Sequence, residues 1–347
     1  MADPSPEKPA RRPRYSGKNP RQFDQKYKEL QPERYADDVA KVLAGGKTPA
    51  GSHRPIMVRE ILDVLAARPG EVAVDGTLGF GGHAGELLKA VQPGGRLIAV
   101  DADPIELPRA EARLRALGFP AESLVVKRMN FAGLARLVLD HAPEGADVLM
   151  LDLGLSSMQI DDPARGFTFK ADGPLDMRMN PERGRSASEL LSTLGVAALT
   201  RILVENADEP RAPELAEAIL LAHARTPLTT TRALASVVRG TLARRSKTPD
   251  EDAVRRVFQA IRIAVNDEFG SLDSFLRGLP SCLKPGGRVA ILTFHSGEDR
   301  RVKSAFKEGL LDGTYARIAD QPIRASPDER RSNPRSTSAK LRWAVRV

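Results

Sequence analysis

Asp75, Asp101 and Asp152, with the glycine-rich turn DGTLGFGGHAGELL that begins at Asp75, are the residues whose types and spacing could do chemistry. Glycine-rich turns between a strand and a helix usually face a nucleotide, because only glycine lets backbone come close with no Cβ in the way. Gly79, Gly81, Gly82, His83 and Ala84 fall on the dinucleotide pattern G-x-G-x-x-A, and Asp101 lies about 20 residues on, where a ribose-binding acid is expected. That pattern offers N–H groups to a pyrophosphate, beside which the carboxylate of Asp75 would be badly placed. A cationic ligand without phosphates reverses the preference. S-adenosylmethionine carries a sulfonium and an ammonium group and still offers an adenosine ribose. Asp75 suits its methionyl end, Asp101 its ribose hydroxyls, and Asp152 completes the acidic layout. Each acid alone reads equally well as a helix cap or turn residue. Three at successive strand ends fit that explanation much less well.

The elements that position these acids follow from hydrophobic patterning. From Ser52 onward, short β-like runs alternate with helical ones, the pattern of an α/β fold with a mostly parallel sheet. Strands are expected at 72–76, 96–103, 123–129, 146–154 and 287–295, with helical stretches at 58–66, 83–91, 104–117 and 131–141. More than a hundred residues separate the fourth and fifth strands, too many for a loop, and their periodic segments (SASELLSTL, PELAEAILLAHAR, TRALASVVRGTLARR) are helical. They are expected to form an inserted helical subdomain, 160–255, beside the carboxyl edge of the sheet, where open α/β folds bind ligands. The chain then divides into a basic, mostly disordered arm at 1–51 with a short helix at 34–43, a first core part at 52–159, the insertion, and a second core part with a basic C-terminal segment at 256–347.

Composition narrows the class. The 347 residues suffice for one large domain or two ordinary ones, and 41% hydrophobic residues suit a globular protein. No run approaches the ~18 apolar residues that cross a bilayer, and MADPSPEKPARRPR lacks the apolar centre of a secretory signal. A cytoplasmic location away from the membrane is expected. Cys282 is the only cysteine, which excludes an intrachain disulfide and a thiolate zinc cluster, and the five histidines are too scattered for a metal helix. Net charge is +8, concentrated at the ends: residues 1–28 hold eight Lys and Arg against three acids, and 321–347 seven against two. Such arms suit phosphates, although a solvated tail explains the charge nearly as well.

Several long motifs carry a family resemblance: HRPIMVREIL at 53–62, DGTLGFGGH at 75–83, AVDADP at 99–104, LDLGLSSMQIDDPARGFTF at 151–169, DGPLDMRM at 172–179, VFQAIRIAVNDE at 257–268, LTFHSGEDR at 292–300 and NPRSTSAKLR at 333–342. From about His53 to the end the chain resembles the RsmH (MraW) family, bacterial S-adenosylmethionine-dependent enzymes that methylate the N4 amine of a cytosine in the decoding centre of 16S ribosomal RNA. The resemblance implies a class I methyltransferase (Rossmann-like) fold and places cofactor contacts at Gly81, Gly82, His83, Asp101, Phe131, Asp152 and Gln159, joining Asp75 and Gly79 of the loop. It also implies a partner, 16S ribosomal RNA in the small subunit or its precursor. The arm of about 50 residues is additional to the family core, Gly297 stands where many relatives carry leucine, and NADEPRA at 206–212 replaces a segment that usually reads more like YGEE.

For the chemistry, Asp152 is expected to orient the target amine, with His295 and Asp176 as acceptor or proton-relay candidates. The segment Asp152-Leu-Gly-Leu-Ser-Ser replaces the N/D-P-P-Y/F of many amine methyltransferases and leaves no stacking aromatic there. A base must leave its stack to react, so the RNA backbone has to be gripped as well. Arg178, Arg183, Arg185, Arg244, Arg245, Arg255, Arg256, Arg335, Lys340 and Arg342 are the candidate phosphate contacts. Two other classes compete: a catalytically silent RNA-binding assembly protein and an NAD-linked oxidoreductase. Oligomeric state stays open, a homodimer among the options.

Overall fold

Val72–Asp75, Arg96–Asp101 and Ala146–Asp152 are short aliphatic runs buried on both faces, as strands covered by helices on either side must be. The computed structural model describes residues 55–243 and 250–347. These runs are β1, β2 and β4 of a seven-stranded sheet completed by β3 (Leu124–Arg128), β5 (Leu283–Thr293), β6 (Tyr315–Ile318) and β7 (Lys340–Arg346), in the order β3-β2-β1-β4-β5-β7-β6. β7 pairs antiparallel with both β5 and β6 and so runs against the rest of a parallel sheet. This is the class I methyltransferase sheet. The chain steps outward from β1 to β3, then crosses back to β4, so β1 and β4 are neighbours that flank the topological switch.

Alternation along the strands assigns the two faces. Ala73, Leu97, Ala99, Val148, Met150 and Ala290 pack with α1 (Val58–Leu65), α2 (Gly82–Ala90) and α3 (Glu106–Arg115). Val74, Ile98, Val100, Leu149, Leu151 and Ile291 pack on the other side with α4 (Leu134–His141). After the short α5 (Ser157–Asp161), helices α6 (Ala187–Thr193), α7 (Val196–Ala207), α8 (Ala212–Arg225), α9 (Thr231–Ala243) and α10 (Glu251–Asn266) enclose a separate apolar core that runs from Phe167 to Ile261. α11 (Glu268–Cys282) returns the chain to β5, and α12 (Ser296–Leu311) and α13 (Pro327–Ser332) follow.

Three expectations are corrected. The boundary at 255 falls inside α10, one continuous helix whose residues through Ile261 belong to the helical core. Residues 131–133 form a 3₁₀ turn before α4 starts at Leu134. The sequence reading had no strand after the fifth, yet Tyr315–Ile318 and Lys340–Arg346 form the edge hairpin; β6 has only four residues, and the charges of KLRWAVR obscured its alternation. The arm at 1–51 with its helix at 34–43, His53, and the candidates Arg244 and Arg245 lie outside the described residues. Among the described residues, no helix is long and apolar enough to cross a membrane.

Candidate active site

The carboxyl ends of β1, β2 and β4 bring the three aspartates together. Asp75 is almost wholly buried, and its Oδ1 accepts the Thr77 N–H at 2.9 Å. Burial is the main reason its carboxyl is pushed up to about 6; the Thr77 N–H and the His83 ring oppose the rise, and like charge on Asp152 and Asp101 adds to it. Thr77 also ties the strand ends together, its Oγ1 accepting the Asp152 N–H at 2.6 Å. Asp152 keeps 29% of its side chain open. Burial of the remainder, then repulsion from Glu298, pushes it up to about 7.

The glycine loop reaches α2 through backbone conformations that side chains disfavour: φ is 49° at Gly79 and 86° at Gly81, the residue that caps the helix. Gly79 N–H donates to Asp101 Oδ2 at 2.7 Å, so the loop is fastened to the end of β2. Burial raises the Asp101 carboxyl, partly offset by the N–H groups of Asp103 and Gly79. His83 is 8% exposed, with Nε2 2.9 Å from the Ile56 carbonyl and Nδ1 3.5 Å from Asp152 Oδ2. Burial lowers its pKa, so the ring is neutral near pH 7, with Nε2–H donating to Ile56 and Nδ1 facing Asp152. Phe131 sits at the end of β3 behind the Asn130 cap, partly exposed and edge-on to Phe275 at 5.8 Å.

Gln159 begins a network the sequence reading missed. Its Nε2 donates to Asp103 Oδ2 at 2.7 Å, and Arg165 Nη1 reaches the same oxygen at 2.9 Å. Gln159 also completes a capping box with Ser156, which fixes the turn after β4. Asp103 and Arg165 both lie inside the motifs quoted above, but their pairing spans 62 residues, and no local spacing announces it.

His295 and Glu298 meet at the end of β5. The Glu298 N–H points to His295 Nδ1 at 3.4 Å, and His295 Nε2 lies 3.0 Å from Glu298 Oε1 without the alignment of a full hydrogen bond. Burial alone would raise Glu298, but His295, the Phe294 N–H and Arg262 outweigh it and hold the carboxylate low. At Gly297 a Cβ would lie 2.5 Å from Phe269 Cζ, so a larger residue would need that ring to shift; the ring is in turn covered by the Arg301 guanidinium at 3.7 Å. Asp176 behaves differently from the expectation. Burial would raise it, but Arg178 donates to both of its oxygens at 2.8 and 2.6 Å and holds its pKa down, which makes Asp176 a poor proton acceptor.

The structure also sorts the cations. Arg342 is buried and Lys340 half-buried, both bound to Asp299 at 2.6 and 2.7 Å, and Arg256 pairs at 2.6 Å with the buried Glu209 of NADEPRA. All three are engaged by acids of the chain, Arg342 in the interior and Lys340 and Arg256 with 24% and 29% of their side chains still open. Arg178 is held by Asp176, Arg335 by Asp161 and the exposed Arg255 by Asp252. Arg183 and Arg185 are exposed.

Among the described residues, no lysine or arginine pairs with Asp75, Asp101 or Asp152. Asp152 and Asp101 raise the proton affinity of Asp75, and a group of acids to which no described lysine or arginine is paired suits a cationic ligand. S-adenosylmethionine, the cofactor the resemblance implies, is a ligand of this kind, and these three acids, the loop from Gly79 to His83, Phe131 and Gln159 are the residues that would hold it.

Comparison with known proteins agrees. The sequence model of the MraW methylase family matches residues 50–347. "Ribosomal RNA small subunit methyltransferase H 2" of Alkaliphilus metalliredigens is 47% identical over 346 residues, 98% of this chain and 99% of its own. "Ribosomal RNA small subunit methyltransferase H 1" of Lachnoclostridium phytofermentans is 47% identical over 97% of this chain and 93% of its own. The corresponding protein of Trichlorobacter lovleyi is 39% identical over 85% of this chain and 98% of its own. The arm lies outside the matched family core, as expected, and the first two relatives nevertheless align through most of it. A crystal structure of a SAM-dependent O-methyltransferase from Thermotoga maritima superposes over 85% of this chain and 68% of that one with 12% identity and a TM-score of 0.39, too loose a likeness to argue from. The core match and the long alignments at high identity decide the matter: this chain is a methyltransferase that belongs to the MraW methylase family.

Proposed function

We propose that the chain transfers a methyl group to the N4 amine of a cytosine in the decoding centre of 16S ribosomal RNA, within the small subunit or its precursor in the cytoplasm. The observation that carries the proposal is the acidic site at the ends of β1, β2 and β4, to which no lysine or arginine among the described residues is paired, with Asp152 partly open at its edge. The relatives' names supply the substrate class, ribosomal RNA of the small subunit.

When bound, S-adenosylmethionine supplies an electrophilic methyl group on a positively charged sulfur. The cytosine amine is a poor nucleophile because its lone pair is delocalised into the ring, and its protons become acidic only once the methyl group has arrived. A strong base is therefore unnecessary, and the chain's task is alignment and the holding of N–H bonds. Asp152 is the acceptor placed for this, since its carboxyl sits at the open edge and its pKa near 7 matches a group that takes up a proton at neutral pH. His295, beside the ionised Glu298, is the second acceptor candidate. Asp176 holds Arg178 instead of serving as a base. Arg183 and Arg185 are the exposed cations proposed to meet phosphates.

The deciding experiment is transfer of labelled methyl to small subunits from a strain that lacks the modification, followed by nucleoside analysis. N4-methylcytidine is the expected product. Tight S-adenosylmethionine binding with no transfer to subunits, precursors or free RNA would instead leave the silent RNA-binding protein. The oxidoreductase reading is set aside by the family and by the three acids, which would repel a pyrophosphate.

A further inference from the structure

Arg165 is 9% exposed and stands between two loops that share no strand pairing. On one side its Nη1 donates to Asp103 Oδ2 at 2.9 Å; Asp103 is 1% exposed and shares that oxygen with Gln159. The Asp103 N–H donates to Asp101 Oδ1 at 2.8 Å, and Asp101 holds the Gly79 N–H. On the other side Arg165 Nη2 donates to the Met179 carbonyl at 2.8 Å and the Arg178 carbonyl at 3.3 Å. One hydrogen-bonded chain therefore runs from the glycine loop to the segment Asp176–Met179.

That segment is itself held under strain. Met177 is fully buried with φ 63°, a left-handed conformation that side chains disfavour by about 1–2 kcal/mol. Asn266, at the end of α10, clamps it by donating to the Met177 carbonyl and accepting the Met179 N–H, both at 2.7 Å. Buried ion pairs add little net stability over apolar packing of the same volume. A buried arginine that spends both ends of its fork on two different loops therefore contributes chiefly by fixing their relative position.

We propose that Arg165 is a positioning residue for methyl transfer: by joining Asp103 to the carbonyls of Arg178 and Met179, it locks the segment Asp176–Met179 to the loop that holds the donor. The proposal rests on the methyl-transfer reading above. It assigns Arg165 to the geometry of the reacting complex and leaves donor affinity mainly to the acids and the glycine loop.

The test uses the full chain with Arg165→Lys, which keeps a charge for Asp103 but cannot also span to Met179, and Asn266→Ala, which frees the same segment from the α10 side without unpairing a buried charge. Thermal melts and S-adenosylmethionine titrations come first. The expected result is a dissociation constant within about threefold of wild type, with kcat at saturating donor and RNA lower by roughly 10–100-fold. Hydrogen exchange supplies a readout that needs no RNA: donor binding slows exchange at 176–179 in the wild type and fails to do so in Arg165→Lys. If wild-type protein leaves small subunits unmethylated, the substrate reading fails, and the exchange result still decides this one. A kcat within threefold of wild type in both variants would overturn the proposal. So would a loss confined to donor affinity, or donor-induced protection of 176–179 that survives in Arg165→Lys. Should Arg165→Lys fail to fold, Asn266→Ala decides alone: unchanged kcat overturns the proposal, and a kcat-specific loss supports it.

Discussion

Binding of S-adenosylmethionine should depend steeply on pH, because the socket that receives its positive charge is partly protonated at neutral pH. Asp75 sits at about 6 and Asp152 at about 7 before the donor arrives. A bound cation favours both ionised forms, so binding below these values must first expel the protons. Near pH 6, about half of Asp75 and roughly nine-tenths of Asp152 hold a proton, and affinity should lie about 20-fold below its value near pH 8, or roughly 1.8 kcal/mol. The same linkage predicts release of about 1.4 protons per donor bound near pH 6. Calorimetry in two buffers of different ionisation enthalpy measures both quantities. Asp152→Asn removes the larger contribution and should leave only about a twofold change over the same interval. S-adenosylhomocysteine, which lacks the sulfonium charge, should show a shallower slope in the wild type. Affinity that stays flat between these pH values, or that keeps its full slope in Asp152→Asn, would refute the assignment of the raised carboxyls to the cation.

The same shift has a consequence for stability. An acid whose folded pKa is raised binds its proton more tightly folded than unfolded, so the cofactor-free wild type loses stability from Asp152 as pH climbs from about 4 through about 7; the Tm advantage of Asp152→Asn should therefore widen over that window, and a constant difference in thermal melts would count against it. Arg342→Ala should lower stability by about 3–5 kcal/mol by stranding the buried Asp299, measured by denaturant titration; an unchanged midpoint with weakened RNA binding would return Arg342 to the RNA face. Arg183→Ala and Arg185→Ala should leave Tm unchanged and each reduce the slope of log affinity against log salt by about 1 in RNA titrations; an unaltered slope removes them from the interface. Gly81→Ala has room for its methyl group, with neighbours at 3.7 Å, yet must adopt φ 86°, so it should cost about 1–2 kcal/mol of stability through backbone strain alone; a neutral melt would show that the loop relaxes.

Local pattern made much of the fold legible. Alternation and aliphatic runs located β1 to β5 within a few residues, because each strand is a contiguous segment whose burial shows in its own composition. The edge hairpin escaped, since β6 has four residues and β7 carries Lys340, Arg342 and Arg346 in a run that reads as a basic tail. The inserted helices were evident from their period, but the boundary at 255 falls within α10, whose apolar pattern runs unbroken on both sides of that position and packs into the helical core.

The sequence by itself determined the glycine loop, the three aspartates at successive strand ends and the motifs that imply the family, because those features are short and continuous along the chain. The tertiary structure alone decided which of the charged residues remain available. Arg342, Lys340 and Arg256, expected as RNA contacts, are each paired with an acid of the chain, Arg342 in the interior, while Asp176 is held by Arg178. It alone also decided that Asp152 sits near 7, because a carboxyl's proton affinity is set by what buries it and which charges face it. Arg165 meets Asp103 across 62 residues for the same reason: an ion pair is a fact of three-dimensional distance, and spacing along a chain carries no record of it.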